Sequence, residues 1–96
     1  MNTINIEDFL RIKNSNLNII DIRASFEYEI GHMDGAINIV ENILMQNPNM
    51  FLNKNSLYYI YCDKGHRSMM VANYLRNFGY NVVSIDGGYN NYLLSK

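Results

Sequence analysis

The sequence predicts an α/β domain, and three observations carry the prediction. Short apolar or β-branched runs recur at residues 17–22, 57–61 and 81–85. Segments of helical character lie between them, and breaks rich in asparagine or glycine separate the two kinds. Strands alternating with helices imply a mostly parallel sheet of about four or five strands covered on both sides, because parallel neighbours need a crossover connection.

Taken in order, Ile4 reads as the end of a first short strand. Asn5 can then cap a helix over about 6–13, with Asp8 in its first turn. NSN breaks that helix, LNIIDI (17–22) is a strand, and SFEYEI (25–30) is a brief helix stopped by Gly31. AINIV (36–40) returns to strand character. Residues 42–46 are weakly helical, and the single proline, Pro48, sits in a polar stretch that reads as a loop or helix end. The loop expected over 40–57 is a candidate for shaping a pocket entrance.

LYYIY (57–61) is an unbroken apolar run, the pattern of a central parallel strand buried on both faces. Over 67–78, Met70, Val71, Tyr74, Leu75 and Phe78 fall at intervals that lay a stripe along one helical face, and Gly79 ends the helix. NVVSI (81–85) is a strand, DGG a turn, and YNNYLL (89–94) a last helix, with Tyr89 and Tyr92 as candidate pocket walls.

Composition narrows the function classes. Ninety-six residues with 48% apolar content suffice for one core, so one domain over 1–96 is expected. Eight basic and nine acidic residues leave a net charge of −1, and no run of like charge points to a nucleic acid or an anionic membrane surface. One cysteine cannot form an internal disulfide, and no apolar stretch approaches the ~18 residues of a membrane span. A reduced, cytoplasmic, soluble domain is expected. Six methionines are scattered along the chain and suit gap-filling or ordinary exposure rather than a soft-metal site.

That cysteine, Cys62, stands immediately after the 57–61 strand, in a short loop that opens the longest helix. Ligands of open α/β sheets bind at such strand ends. The loop brings backbone N–H groups and the positive end of a helix dipole to the sulfur, and Gly65 permits the tight turn. Lys64, His66 and Arg67 add positive charge, so the surroundings favour thiolate, the reactive form. A free cysteine is more commonly a small apolar filler. Here its position and the cations of the next five residues favour a reactive group.

CDKGHRS after LYYIY resembles the active-site loop of single-domain rhodanese-like sulfurtransferases. In the same order, INIEDF, IIDIRASFEYEIGHMDGAINI and NFGYNVVSIDGGYNNY resemble that family's opening, Asp-x-Arg to Gly-His-x-x-Gly-Ala-x-Asn, and closing Gly-Gly-aromatic segments. The resemblance runs from about residue 4 to 92. It implies a three-layer rhodanese-like sandwich and a sulfurtransferase in which Cys62 takes a sulfane sulfur as a persulfide and passes it on. It also implies that Asp63, Lys64, Gly65, His66, Arg67 and Ser68 form the loop that cradles the sulfur and an anionic donor, with no metal or organic cofactor. The donor is thiosulfate, or a protein or low-molecular-weight persulfide, and the acceptor a thiol or cyanide. Some thiosulfate-using members carry an arginine where this chain has Glu27. A family-like Arg23 is expected to pair with Glu27, and His32 to be a hydrogen-bonded corner residue.

Other readings stay open. One is a weakly catalytic sulfur-carrier, binding or redox-sensing module. Another is a small phosphatase or arsenate reductase, although those loops place five residues between cysteine and arginine and this chain places four between Cys62 and Arg67.

Overall fold

In the computed structural model, which describes residues 2–95, eleven elements alternate along the chain. They are β1 (Thr3–Ile4), α1 (Ile6–Ile12), β2 (Asn18–Asp21), α2 (Ser25–Ile30), β3 (Ala36–Asn38), α3 (Glu41–Gln46), α4 (Pro48–Phe51), β4 (Leu57–Tyr61), α5 (His66–Asn77), β5 (Asn81–Ile85) and α6 (Gly88–Leu94). The five strands form one sheet in the order β1-β5-β4-β2-β3, and every neighbouring pair is parallel.

Side chains of successive strand residues point to opposite faces, and this alternation divides the core in two. Tyr58 and Ile60 of β4 join Ile20, Val82 and the Val71, Ala72 and Leu75 side chains of α5 on one face. Tyr59 and Tyr61 join Ile19, Ile85, Ile6 and Phe9 of α1 and Tyr92 of α6 on the other. The run LYYIY is apolar throughout because β4 has a helix layer on both sides.

Local chemistry sets the element ends. The Asn5 side chain accepts from the Asp8 N–H at 2.8 Å and caps α1. Pro48 occupies the first turn of α4, where its missing N–H costs nothing. The weak helical character of 42–46 is α3, and the rest of the stretch expected as a loop over 40–57 adds a second short helix, α4. Among the described residues no helix is long and apolar enough to cross a membrane.

The apolar stripe expected on α5 is corrected by the packing. Val71 and Leu75 are buried, but with Ser68 and Ala72 rather than with Met70, Tyr74 and Phe78, which lie on the outer side. The helix is apolar on more than one face, so spacing alone could not tell which face meets the sheet.

Candidate active site

The topology fixes where the site lies. From β2 the chain passes to β3 on one side, then crosses back so that β4 pairs with the other side of β2. The strand order reverses between β2 and β4, and a crevice opens beyond their carboxyl ends. The residues that follow these strands, Ile22–Arg23 and Cys62–Asp63, meet there, with Arg23 Nη1 3.4 Å from Asp63 Oδ1.

Cys62 is 3% exposed and lies at the wall of a pocket of about 380 Å³ that Asp63, Lys64, His66 and Arg67 also line. Its sulfur accepts the N–H of Gly65 at 3.2 Å and that of Ser68 at 3.4 Å, and the Ser68 Oγ is 3.5 Å away. Gly65, at φ +100°, stands at the cap before α5, and the turn it makes folds the loop back over the sulfur. The N–H groups of Lys64, His66 and Arg67 have no protein acceptor among the described residues, as expected at a helix start. They leave this end of α5 able to hold an anion.

The loop is tied from behind by α6. The N–H of Tyr89 donates to the Cys62 carbonyl at 2.9 Å, and that of Asn90 to the Asp63 carbonyl at 3.0 Å. With these carbonyls engaged behind the loop, its amides are left for the sulfur and the pocket. Such a close approach requires Gly88: a Cβ there would press into the Cys62 carbonyl oxygen, and its φ of +57° disfavours any side chain.

Each loop residue expected at the site lies around the sulfur, in different ways. Lys64 and His66 are exposed at the pocket, and neither side chain has a hydrogen-bond or ion-pair partner among the described residues. Arg67 also lines it, with Nε 2.7 Å from Glu41 Oε1 of α3. That hydrogen bond and charge raise the Arg67 pKa. Gly65 and Ser68 act from beneath through their N–H groups, and Ser68 is fully buried. Asp63 turns its carboxylate toward Arg23.

Three expectations are corrected. Arg23 pairs with Asp21, not Glu27: its Nη2 lies 2.7 Å and its Nε 3.1 Å from the Asp21 carboxylate, both residues buried. Burial opposes the guanidinium charge, but Asp21 and Asp63 outweigh it and raise the Arg23 pKa. Arg23 also donates to the Gly31 carbonyl at 2.6 Å and lies 4.4 Å from the Tyr89 ring centre. Glu27 instead accepts the Ala24 N–H at the start of α2, because the backbone turns after β2 and carries its carboxylate away from Arg23.

The tyrosines of α6 do not wall the Cys62 pocket. Tyr92 is buried in the core, its hydroxyl accepting the Asp34 N–H, and Tyr89 lines a neighbouring depression with Arg23, Glu27 and Leu93. Nor does the 40–57 segment line it, although Glu41 reaches it through Arg67. His32 is a corner residue, with Nδ1 2.8 Å from the Tyr28 carbonyl and its ring stacked on Tyr28.

Two contributors escaped sequence reasoning. Glu41 is far from Arg67 in the chain, and nothing local marks it. Ser84 had a faint signal: it is the lone hydroxyl among the inward residues of β5, fully buried with its Oγ 2.7 Å from the Ser68 Oγ. Among the described residues no group of three or more His, Cys, Asp or Glu side chains could hold a metal.

A family model described as a rhodanese-like domain matches residues 6–95. The chain is 35% identical over 72 residues to a thiosulfate sulfurtransferase, GlpE, of Tolumonas auensis, covering 74% of this chain and 67% of that one. It is 32% identical over 71 residues to an adenylyltransferase and sulfurtransferase, uba4, of Ogataea parapolymorpha, covering 73% of this chain and 18% of that protein. Against several such relatives the chain spans about a fifth of their length. A crystal structure of a Staphylococcus saprophyticus protein superposes with a TM-score of 0.83 at 34% identity, covering 96% of this chain and 93% of that one.

Proposed function

Because the chain belongs to the rhodanese-like domain family, we propose that it is a sulfurtransferase working through a persulfide on Cys62. The observation that carries this reading is the sulfur itself, which accepts two backbone N–H groups at the wall of a pocket lined by Lys64, His66 and Arg67.

The reaction divides into two balanced halves. With thiosulfate as donor, the Cys62 thiolate attacks the outer sulfur and forms a new S–S bond. The old S–S bond breaks, and sulfite leaves with its electron pair. A persulfide donor reacts likewise and releases its thiolate. An acceptor, cyanide or a thiolate, then attacks the terminal sulfur, and the Cys62 thiolate leaves. Negative charge moves between the two sulfurs without being lost, and the N–H groups of Lys64, His66 and Arg67 are available to the terminal one.

Glu27 does not stand against thiosulfate in this reading, since its carboxylate lies at the start of α2, in the depression beside Tyr89, and not at the Cys62 pocket. Thiosulfate and persulfides both suit a pocket whose Lys64 has no acidic partner among the described residues. Four residues separating Cys62 from Arg67 weigh against phosphatase chemistry.

The test is intact mass after brief exposure to thiosulfate or to a low-molecular-weight persulfide. Wild type should gain one sulfur that a reductant removes, and Cys62→Ser none. A wild-type protein that gains nothing from either donor would sink the proposal.

A further inference from the structure

We infer that Ser84, a residue of β5 outside the active-site loop, is a positioning residue for the Cys62 sulfur and acts through Ser68. The inference rests on the reading of Cys62 as the reacting group.

A proton count carries it. The Ser68 hydroxyl has one proton and two lone pairs. Its Oγ lies 3.2 Å from the Gly65 carbonyl, 3.5 Å from the Cys62 sulfur and 2.7 Å from the Ser84 Oγ. The carbonyl can only accept, and a thiolate can only accept. The Ser84 hydroxyl has no other hydrogen-bond partner among the described residues, so its proton goes to Ser68 and the Ser68 proton is left for the carbonyl or the sulfur. When Cys62 is a thiol, its S–H points at Ser68 and the Ser68 proton goes to Gly65. When Cys62 is a thiolate, the Ser68 proton turns to the sulfur.

That turn leaves no polar group stranded, because the Gly65 carbonyl also accepts the Met69 N–H at 3.2 Å. Throughout, Ser84 keeps donating to Ser68, and a hydroxyl that accepts a hydrogen bond donates a stronger one. The bland alternative is that two buried hydroxyls merely satisfy each other. Packing alone would be served as well by alanine, since Val82, the neighbouring β5 residue on that face, is apolar.

The experiment follows the rate of Cys62 alkylation by iodoacetamide against pH, with folding checked by circular dichroism. Ser84→Ala should alkylate about threefold more slowly at pH 7 and converge with wild type at high pH. Ser84→Thr, which keeps the hydroxyl, should stay near wild type. On a Ser68→Ala background, Ser84→Ala should add no further slowing. Asp63, Lys64, His66 and Arg67 around the sulfur, with Arg23 and Glu41 behind them, are unchanged in all variants, so a difference reports the hydroxyl.

A wild-type profile for Ser84→Ala, slowing by Ser84→Thr equal to that of alanine, or further slowing on the Ser68→Ala background would each overturn the inference. If Ser84→Ala does not fold, Ser84→Val compared with Ser84→Thr decides, because the two side chains share a shape and differ by the hydroxyl: equal profiles would overturn the inference. Alkylation needs no sulfur donor. A shifted profile in a protein that never takes up sulfur would therefore remove the transferase reading and leave the role of Ser84 standing.

Discussion

At the scale of single residues, the cations around Cys62 are unequal. Lys64 meets the pocket without an acidic partner among the described residues, whereas Arg67 is held by Glu41. Arg67→Ala should lower kcat/KM for thiosulfate about tenfold, mostly through KM, the size expected for one charge-assisted contact, while the melting temperature changes little. Steady-state kinetics beside a thermal melt check this. Equal losses in both would make Arg67 structural. Glu41→Gln should change donor KM by less, since it leaves the guanidinium in place. Cys62 and its loop were legible in the sequence because adjacency in the chain brings them together. Glu41 and Ser84 were not, because their importance comes from contacts across the fold. The wrong partner for Arg23 has a similar origin: a family-like arginine among charges near a strand end suggested Glu27, but Arg23 precedes α2, where the backbone still has the strand-end turn that hands its guanidinium to Asp21.

At the scale of elements, two junctions position the site. The first is the turn after β2, where Arg23 joins Asp21, Gly31 and Asp63. Asn38 reinforces it by donating to the carbonyls of Asp21 and Arg23. Arg23→Ala leaves a buried carboxylate without its partner and should cost about 3 kcal/mol in urea denaturation. A cost below about 1 kcal/mol would mean that water replaces the guanidinium. The second is the contact of α6 with the Cys62 loop. Gly88→Ala should destabilise the fold by more than about 1 kcal/mol, because φ there is positive and the added carbon meets backbone. It should also slow persulfide formation per folded molecule. Persulfide formation at the wild-type rate in that variant would show that the tether to α6 does not shape the cradle. Helix and strand types were readable from periodicity and glycine punctuation, but the face of α5 that meets the sheet was not.

At the scale of the whole molecule, the sheet divides into a central part and brief edges. β4 pairs on both sides, whereas β1 has two residues and β3 three. No residue of α2 is buried. Hydrogen exchange should therefore protect the β4 amides longest and release those of α2 early, without loss of β4 protection. Simultaneous exchange of both would mean that the whole molecule opens as one unit. Parallel pairing was expected from the strand and helix alternation, but strand order, which places Asp21 and Cys62 at one crevice, depends on long-range contacts that no local pattern encodes. The same topology has a consequence for the order of synthesis. A ribosome releases Cys62 well before residues 87–94, yet the amides that hold back its carbonyl and that of Asp63 come from Tyr89 and Asn90. During synthesis the loop thus lacks its tether, and the sulfur acquires its finished surroundings only after α6 has emerged and docked.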